Sequence, residues 1–400
     1  MKNRTPLHTA LLLASLLLAG CGDRMYQPKP PITEIPGNST PLLKKPFGQT
    51  SDGQPVDQFI LTNAKGSSAR FISYGATLTN LFVPDKNNHL GDVVLGYDTV
   101  NQYEISIPSM CCMVGRFANR IGNATFTIQD PRNGNKFTYH LSANQGPNTL
   151  HGGFKGLGKR NWKGDMGMTP DGPAVRFTIL DPDGAEGFPG NLTVTVIYTL
   201  TNDDALKMQF LATTDKPTPI NLSQHAYFNL SGNQTGDNTS YVAHFNAISY
   251  LPMNAALVPT GEILPVAGTP FDFTHPKLIG RDLSPLPGKP PGYDHTLVLN
   301  NKDANFIKAG EVYDPVSGRL FECFTTEPAI HFTNGRNLAG VAGKNGVTYS
   351  PYRGFTLETQ HFSDSPNHAN FPTTILNPGE TYHQLSEYKF SIPKQPLLPE

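Results

Sequence analysis

Along most of the chain, apolar and polar residues take turns. Val175, Phe177 and Ile179 share one face of a run; Val194, Val196, Tyr198 and Leu200 share another, with Thr193, Thr195 and Thr199 opposite. Leu206, Met208 and Phe210 alternate with Lys207 and Gln209. A period of two sends successive side chains to opposite faces of an extended strand. Bounded by turn signals such as Asp183-Gly184 and Asn202-Asp203-Asp204, these runs predict antiparallel strands joined as hairpins. No long segment carries a 3.6-residue period, and no repeat of fixed length recurs. The expected architecture is all-β, one large antiparallel β-sandwich over residues 47–400.

Two stretches carry chemistry on a strand face. In Leu222-Ser223-Gln224-His225-Ala226-Tyr227-Phe228-Asn229-Leu230, parity puts Ser223, His225, Tyr227 and Asn229 opposite the apolar set. In Phe355-Thr356-Leu357-Glu358-Thr359-Gln360 it groups Thr356, Glu358 and Gln360. Such faces suit hydroxyl-rich ligands, because each side chain offers directional donors or acceptors. Parity alone leaves function open, since a histidine on a strand face is more often a satisfied structural residue.

The N-terminus departs from the pattern. Lys2 and Arg4 precede the apolar run Leu11-Leu12-Leu13-Ala14-Ser15-Leu16-Leu17-Leu18, a signal-peptide arrangement over residues 1–20 that is shorter than the roughly 18 apolar residues of a bilayer span. Leu18-Ala19-Gly20-Cys21 resembles the lipobox of bacterial lipoproteins, which implies cleavage before Cys21 and a lipid on its thiol. An ordinary signal cut near Ala19-Gly20, leaving Cys21 free, is the alternative. Pro28, Pro30, Pro31, Pro36, Pro41 and Pro46 make residues 21–46 an expected extended spacer, with the folded body starting near Phe47. The protein is therefore expected to be exported and anchored to a bacterial membrane, facing the periplasm. Cys111, Cys112 and Cys323 then allow at most one disulfide and leave a free thiol.

Composition narrows the function. Lys+Arg 31 against Asp+Glu 32 gives a net charge of −1, without the basic surplus of a nucleic-acid protein. Gly 38 and Pro 36 fit a turn-rich β protein and argue against helical bundles. Gly340-Val341-Ala342-Gly343-Lys344-Asn345 lacks the full phosphate-loop pattern, and Gly152-Gly153-Phe154-Lys155-Gly156-Leu157-Gly158 has the wrong spacing for a dinucleotide fingerprint. No His-Glu-x-x-His, Cys-x-x-Cys or Gly-x-Ser-x-Gly occurs.

Longer strings are decisive. Gly115-Arg116-Phe117-Ala118-Asn119-Arg120-Ile121-Gly122, Asn148-Thr149-Leu150-His151-Gly152-Gly153, Gln224-His225-Ala226-Tyr227-Phe228-Asn229-Leu230, Gly292-Tyr293-Asp294-His295 and Leu357-Glu358-Thr359-Gln360 occur in this order. Asp183-Gly184-Ala185-Glu186-Gly187-Phe188-Pro189-Gly190-Asn191 falls among them. The set resembles the aldose 1-epimerase (galactose mutarotase) family and covers residues 47 to 391. The resemblance implies a mutarotase-like supersandwich with an open cleft for a monosaccharide. It implies His225 as general acid and Glu358 as general base, with Asn119, Arg120, His151, Tyr227 and Asp294 holding the sugar. Where the family usually has Gln, the chain reads Pro328-Ala329-Ile330-His331-Phe332, so His331 takes that substrate-binding position.

The implied reaction interconverts α and β anomers of free hexoses such as glucose and galactose. A base removes the C1 hydroxyl proton, an acid protonates the ring oxygen, and rotation about C1–C2 precedes closure. One carboxylate and one imidazole suffice, so neither metal nor nicotinamide is expected. Competing expectations are a non-catalytic sugar-binding lipoprotein, and a glycoside hydrolase using Asp294 and Glu358 as a carboxylate pair.

Overall fold

The alternating runs pair as their periodicity demands. The computed structural model describes residues 41–129, 134–232, 236–301 and 303–400. The expected signal peptide, Cys21 and most of the spacer lie outside the described residues. Three antiparallel sheets dominate. One is a meander of Leu42–Gln49, Pro55–Thr62, Ser68–Ile72, Thr77–Pro84 and Leu90–Asp92. A nine-stranded sheet runs Lys163–Thr169, Gly172–Asp181, Leu192–Leu200, Ala205–Thr214, Tyr382–Ser391, Leu320–Thr325, Ile307–Tyr313, Val242–Phe245 and Lys277–Leu278. A second five-stranded sheet runs Leu264–Pro265, Ala247–Tyr250, Asp294–Leu299, Ala329–Thr333 and Thr356–Gln360.

The nine-stranded sheet packs against both smaller ones. Phe177 meets Phe59 edge-on at 5.2 Å, and Tyr198 meets Phe71 at 4.6 Å, joining it to the first sheet. Phe245 meets Phe332 at 5.1 Å, and the Tyr388 hydroxyl donates to the Leu357 carbonyl, joining it to the other. Val175, Phe177, Val194, Val196, Tyr198, Leu206, Met208 and Phe210 are all fully buried, so the apolar parity marks the core face.

Three details differ from the sequence expectation. The first strand begins at Leu42 rather than near Phe47. It is an edge strand, and Pro46 sits where its register shifts, a place that tolerates a missing N–H. Residues 182–191 form a wide loop rather than a tight hairpin, although the strands on either side pair as expected. A one-turn helix, Val100–Ile105, is set by a reciprocal Thr99–Gln102 capping box too short to leave a periodic signal. Cys111, Cys112 and Cys323 are all free and buried.

The wide loop has a cause. Arg116, 1 % exposed, extends beneath it and donates Nε to Asp181 Oδ2 at 2.8 Å. Its Nη1 donates to the carbonyls of Pro189 at 2.7 Å and Gly190 at 3.1 Å, and to Thr218 Oγ1 at 3.2 Å. One guanidinium thus satisfies carbonyls that no strand partner reaches, and it fixes the segment that continues into Asn119 and Arg120. Arg116→Met should cost about 3–5 kcal/mol, because it leaves several buried acceptors unpaired. Urea unfolding of the variant against the parent measures this; a change within about 1 kcal/mol would contradict the tether.

Candidate active site

The polar floor of the cleft follows from strand register. Asp294–Leu299 pairs with Ala329–Thr333, which pairs with Thr356–Gln360. Thr296, His331 and Glu358 form one cross-strand row, and Asp294, Thr333 and Thr356 form the next. Paired residues, and residues two apart, share a face, so all six side chains stand on one side. On the opposite side Leu297, Ile330, Phe332 and Leu357 enter the core.

His225 arrives from another direction. Only Ser223–Gln224 of its segment forms a strand, against Met113–Val114; the chain then moves to bridges from Phe228 to Val94 and Phe355. The His225 N–H donates to the Cys112 carbonyl and its carbonyl accepts from the Cys111 N–H. Parity still aims His225 and Tyr227 into the cleft, whereas Asn229 lies beyond it and bonds the Arg353 carbonyl.

The third wall comes from two further strings. Arg120–Ile121 pairs with Thr149–Leu150, and the Asn119 N–H donates to His151 Nδ1 at 3.1 Å. Gly152 lets them approach: a Cβ there would fall 2.1 Å from the Gly115 carbonyl oxygen, at a φ of +84°. Arg120 donates Nε to Gln145 Oε1 at 2.6 Å.

All eight expected site residues (His225, Glu358, Asn119, Arg120, His151, Tyr227, Asp294 and His331) line one open cleft. His225 Nε2 lies 3.5 Å from Glu358 Oε1, and Thr356 Oγ1 donates to that oxygen at 3.4 Å. His225 Nδ1 and Glu358 Oε2 are buried without a hydrogen-bond partner. Polar atoms left free in a fold that satisfies most others mark a place built for something else. The His151 ring meets His225 edge-on at 5.1 Å.

Charge is distributed unevenly. Burial favours the neutral form of Asp294, but the hydrogen bond from His331 Nε2 at 2.9 Å and the charges of His331 and Arg120 outweigh it, holding the carboxyl well below the usual range. Burial, then the charges of His225, Arg120 and His331, keep His151 neutral far below its ordinary range. His331 has both nitrogens engaged, Nε2 with Asp294 and Nδ1 with Thr296 Oγ1 at 3.1 Å. Donor atoms of His151, His225 and Glu358 lie within 4.8 Å of one another, a grouping that invites a metal. His151 Nδ1, however, accepts a hydrogen bond, which leaves the ring proton on Nε2. A ligating histidine has the reverse arrangement, with its outer N–H donating to an acceptor.

A family model for aldose 1-epimerase matches residues 57–389. The chain belongs to the aldose 1-epimerase family. It is 38 % identical to galactose mutarotase of Homo sapiens over 351 residues, 86 % of this chain and 97 % of that protein. It is 34 % identical to aldose 1-epimerase of Escherichia coli strain K12 over 357 residues, covering 88 % and 99 %. Among solved structures, the GalM/aldose epimerase homologue from C. elegans superposes with a TM-score of 0.74 at 32 % identity, covering 83 % of this chain and 98 % of that one.

The epimerase cleft also holds Gln145, Thr333, Arg336 and Asn337, which the motifs did not single out. Gln145 stands three residues before the Asn148 string, and Arg336 follows a strand end in the polar turn Asn334-Gly335-Arg336-Asn337. Neither position has a periodic signature.

Behind the floor, His295 stacks on Phe271 at 4.3 Å, and burial lowers its pKa to about 4. Below pH 6.5 the unfolded chain takes up a proton at this residue that the folded chain refuses, so stability falls as acid is added. Between pH 7 and pH 5 this residue should cost about 2 kcal/mol. His295→Asn should flatten the pH dependence by that amount in urea titrations at the two values; an unchanged slope would refute it.

Proposed function

We propose that the chain interconverts the anomers of free aldohexoses, with His225 as general acid and Glu358 as general base. The observation that carries this reading is the 3.5 Å separation of His225 Nε2 and Glu358 Oε1. The two reacting oxygens of a hemiacetal are bonded to the same carbon, so acid and base must be near neighbours. Glu358 removes the C1 hydroxyl proton while the imidazolium of His225 protonates the ring oxygen, and the C1–O bond of the ring breaks. After rotation about C1–C2, His225 takes the proton back from the attacking hydroxyl and Glu358 returns its own. Both groups end each turnover as they began, so no outside proton carrier is needed.

The remaining residues serve positioning. Neutral His151 presents an Nε2 proton beside His225, and Asp294 accepts from sugar hydroxyls. Asn119, Arg120 and Tyr227 bound the ring. His331, engaged at both nitrogens, acts on the sugar mainly through Asp294. The hydrolase alternative is disfavoured by the match to the aldose 1-epimerase family over residues 57–389.

Glu358→Gln keeps the side-chain shape and removes the base, so kcat should fall about 10²–10⁴-fold with KM little changed. Polarimetry of fresh α-galactose reads this, and an undiminished kcat would overturn the assignment. His225→Asn should likewise lower kcat more than it raises KM.

The same proposal extends to location: an exported protein held at a membrane by lipid on Cys21, supported by Leu18-Ala19-Gly20-Cys21 and the proline-rich segment after it. Cys21→Ala is expected to move the protein from the membrane to the soluble fraction of lysed cells. Retention at the membrane would argue against the anchor.

A further inference from the structure

The epimerase cleft contains a second guanidinium that the proposed mechanism does not use. Arg336 lines it with its side chain 20 % exposed, and its nearest carboxylate contact is Asp294 Oδ2 at 3.9 Å, beyond hydrogen-bond range. Among the described residues Arg336 forms no hydrogen bond. Arg120, by contrast, is already bonded to Gln145 and to Asn119 Oδ1. Asp294 does not need Arg336 as a counter-charge, since His331 already donates to Oδ1.

Arg336 lies close against glycine backbone. A Cβ at Gly288 would fall 2.0 Å from its Nη1, and one at Gly292 would fall 2.8 Å from its Cδ. The side chain therefore lies across two bare stretches of backbone that only glycine leaves open. Arg120 and Arg336 balance Asp294 and Glu358 in formal charge. Once His225 carries the proton it donates, the cleft holds a surplus of positive charge, to which that of His331 beside Asp294 adds.

We propose that Arg336 makes this cleft prefer an aldose bearing a carboxylate, a hexuronic acid, over a neutral hexose. The planar fork matches a carboxylate with two parallel hydrogen bonds, and the substrate's single negative charge offsets that of the imidazolium. A sugar phosphate carries more charge than one free guanidinium can match so close to two carboxylates. The inference rests on the epimerase reading, because it assigns the substrate of that same site.

The test compares galacturonate, galactose and glucose 6-phosphate. Anomer exchange is followed by NMR with the spontaneous rate subtracted, and binding by calorimetry. Galacturonate should exceed galactose about 10- to 100-fold in kcat/KM, the value of a charge-assisted contact, with the phosphate below galacturonate. Arg336→Gln should bring the galacturonate-to-galactose ratio down at least tenfold, and Arg336→Lys should fall between, keeping charge but losing the fork. A wild-type ratio near one, or a ratio indifferent to Arg336→Gln, overturns the proposal. If the phosphate proves the better substrate, carboxylate recognition is wrong. The calorimetric preference is readable without turnover, so a protein that binds galacturonate tightly yet epimerises nothing would sink the epimerase reading and leave this one standing.

Discussion

The floor of the cleft depends on the register of three short strands. Asp294 and Thr296, His331 and Thr333, and Thr356 and Glu358 share a face because their strands pair without a shift between them. A slip of one residue in Thr356–Gln360 would turn Glu358 into the core and Leu357 into the sugar site. The apolar alternates prevent this. Ile330, Phe332 and Leu357 are buried on the other side, so the energy that drives sheet packing also aims the Glu358 carboxylate into the cleft. The orientation of these polar side chains is here a by-product of hydrophobic pattern.

His225 is positioned by a different device. His225 lies in a segment that changes partners within a few residues, bonding first to Met113–Val114 and then to Val94 and Phe355. An ordinary strand could not bring it across to face Glu358, because the two belong to separate sheets. Arg116 stabilises the same region from below, where Asp181, Pro189 and Gly190 converge on one buried guanidinium. Strings far apart in sequence are therefore close neighbours in space. Gly152 against Gly115, and Arg116 against Pro189, each join two of them.

This explains how much was legible beforehand. Alternation revealed the strands of the nine-stranded sheet and the face carrying Glu358, since burial on one side leaves a period of two. It aimed His225 and Tyr227 into the cleft correctly and misread their segment as one continuous strand, because partner exchange leaves no mark on parity. Gln145 and Arg336 stayed hidden, as they sit on irregular backbone where direction is set by tertiary contact. The early start at Leu42 was hidden by Pro41 and Pro46, which signal a spacer yet are harmless on an edge strand. His331 was read as a ligand by position, and the structure adds that both its nitrogens are already engaged.

The three thiols within the described fold bear on how the protein can be made. Burial raises Cys111 and Cys112 to about 12 and Cys323 higher still, so none offers a thiolate near neutrality. Disulfide exchange requires that thiolate. Once folded, the β-sandwich is accordingly redox-indifferent: its three thiols should stay reduced through purification with or without added reductant.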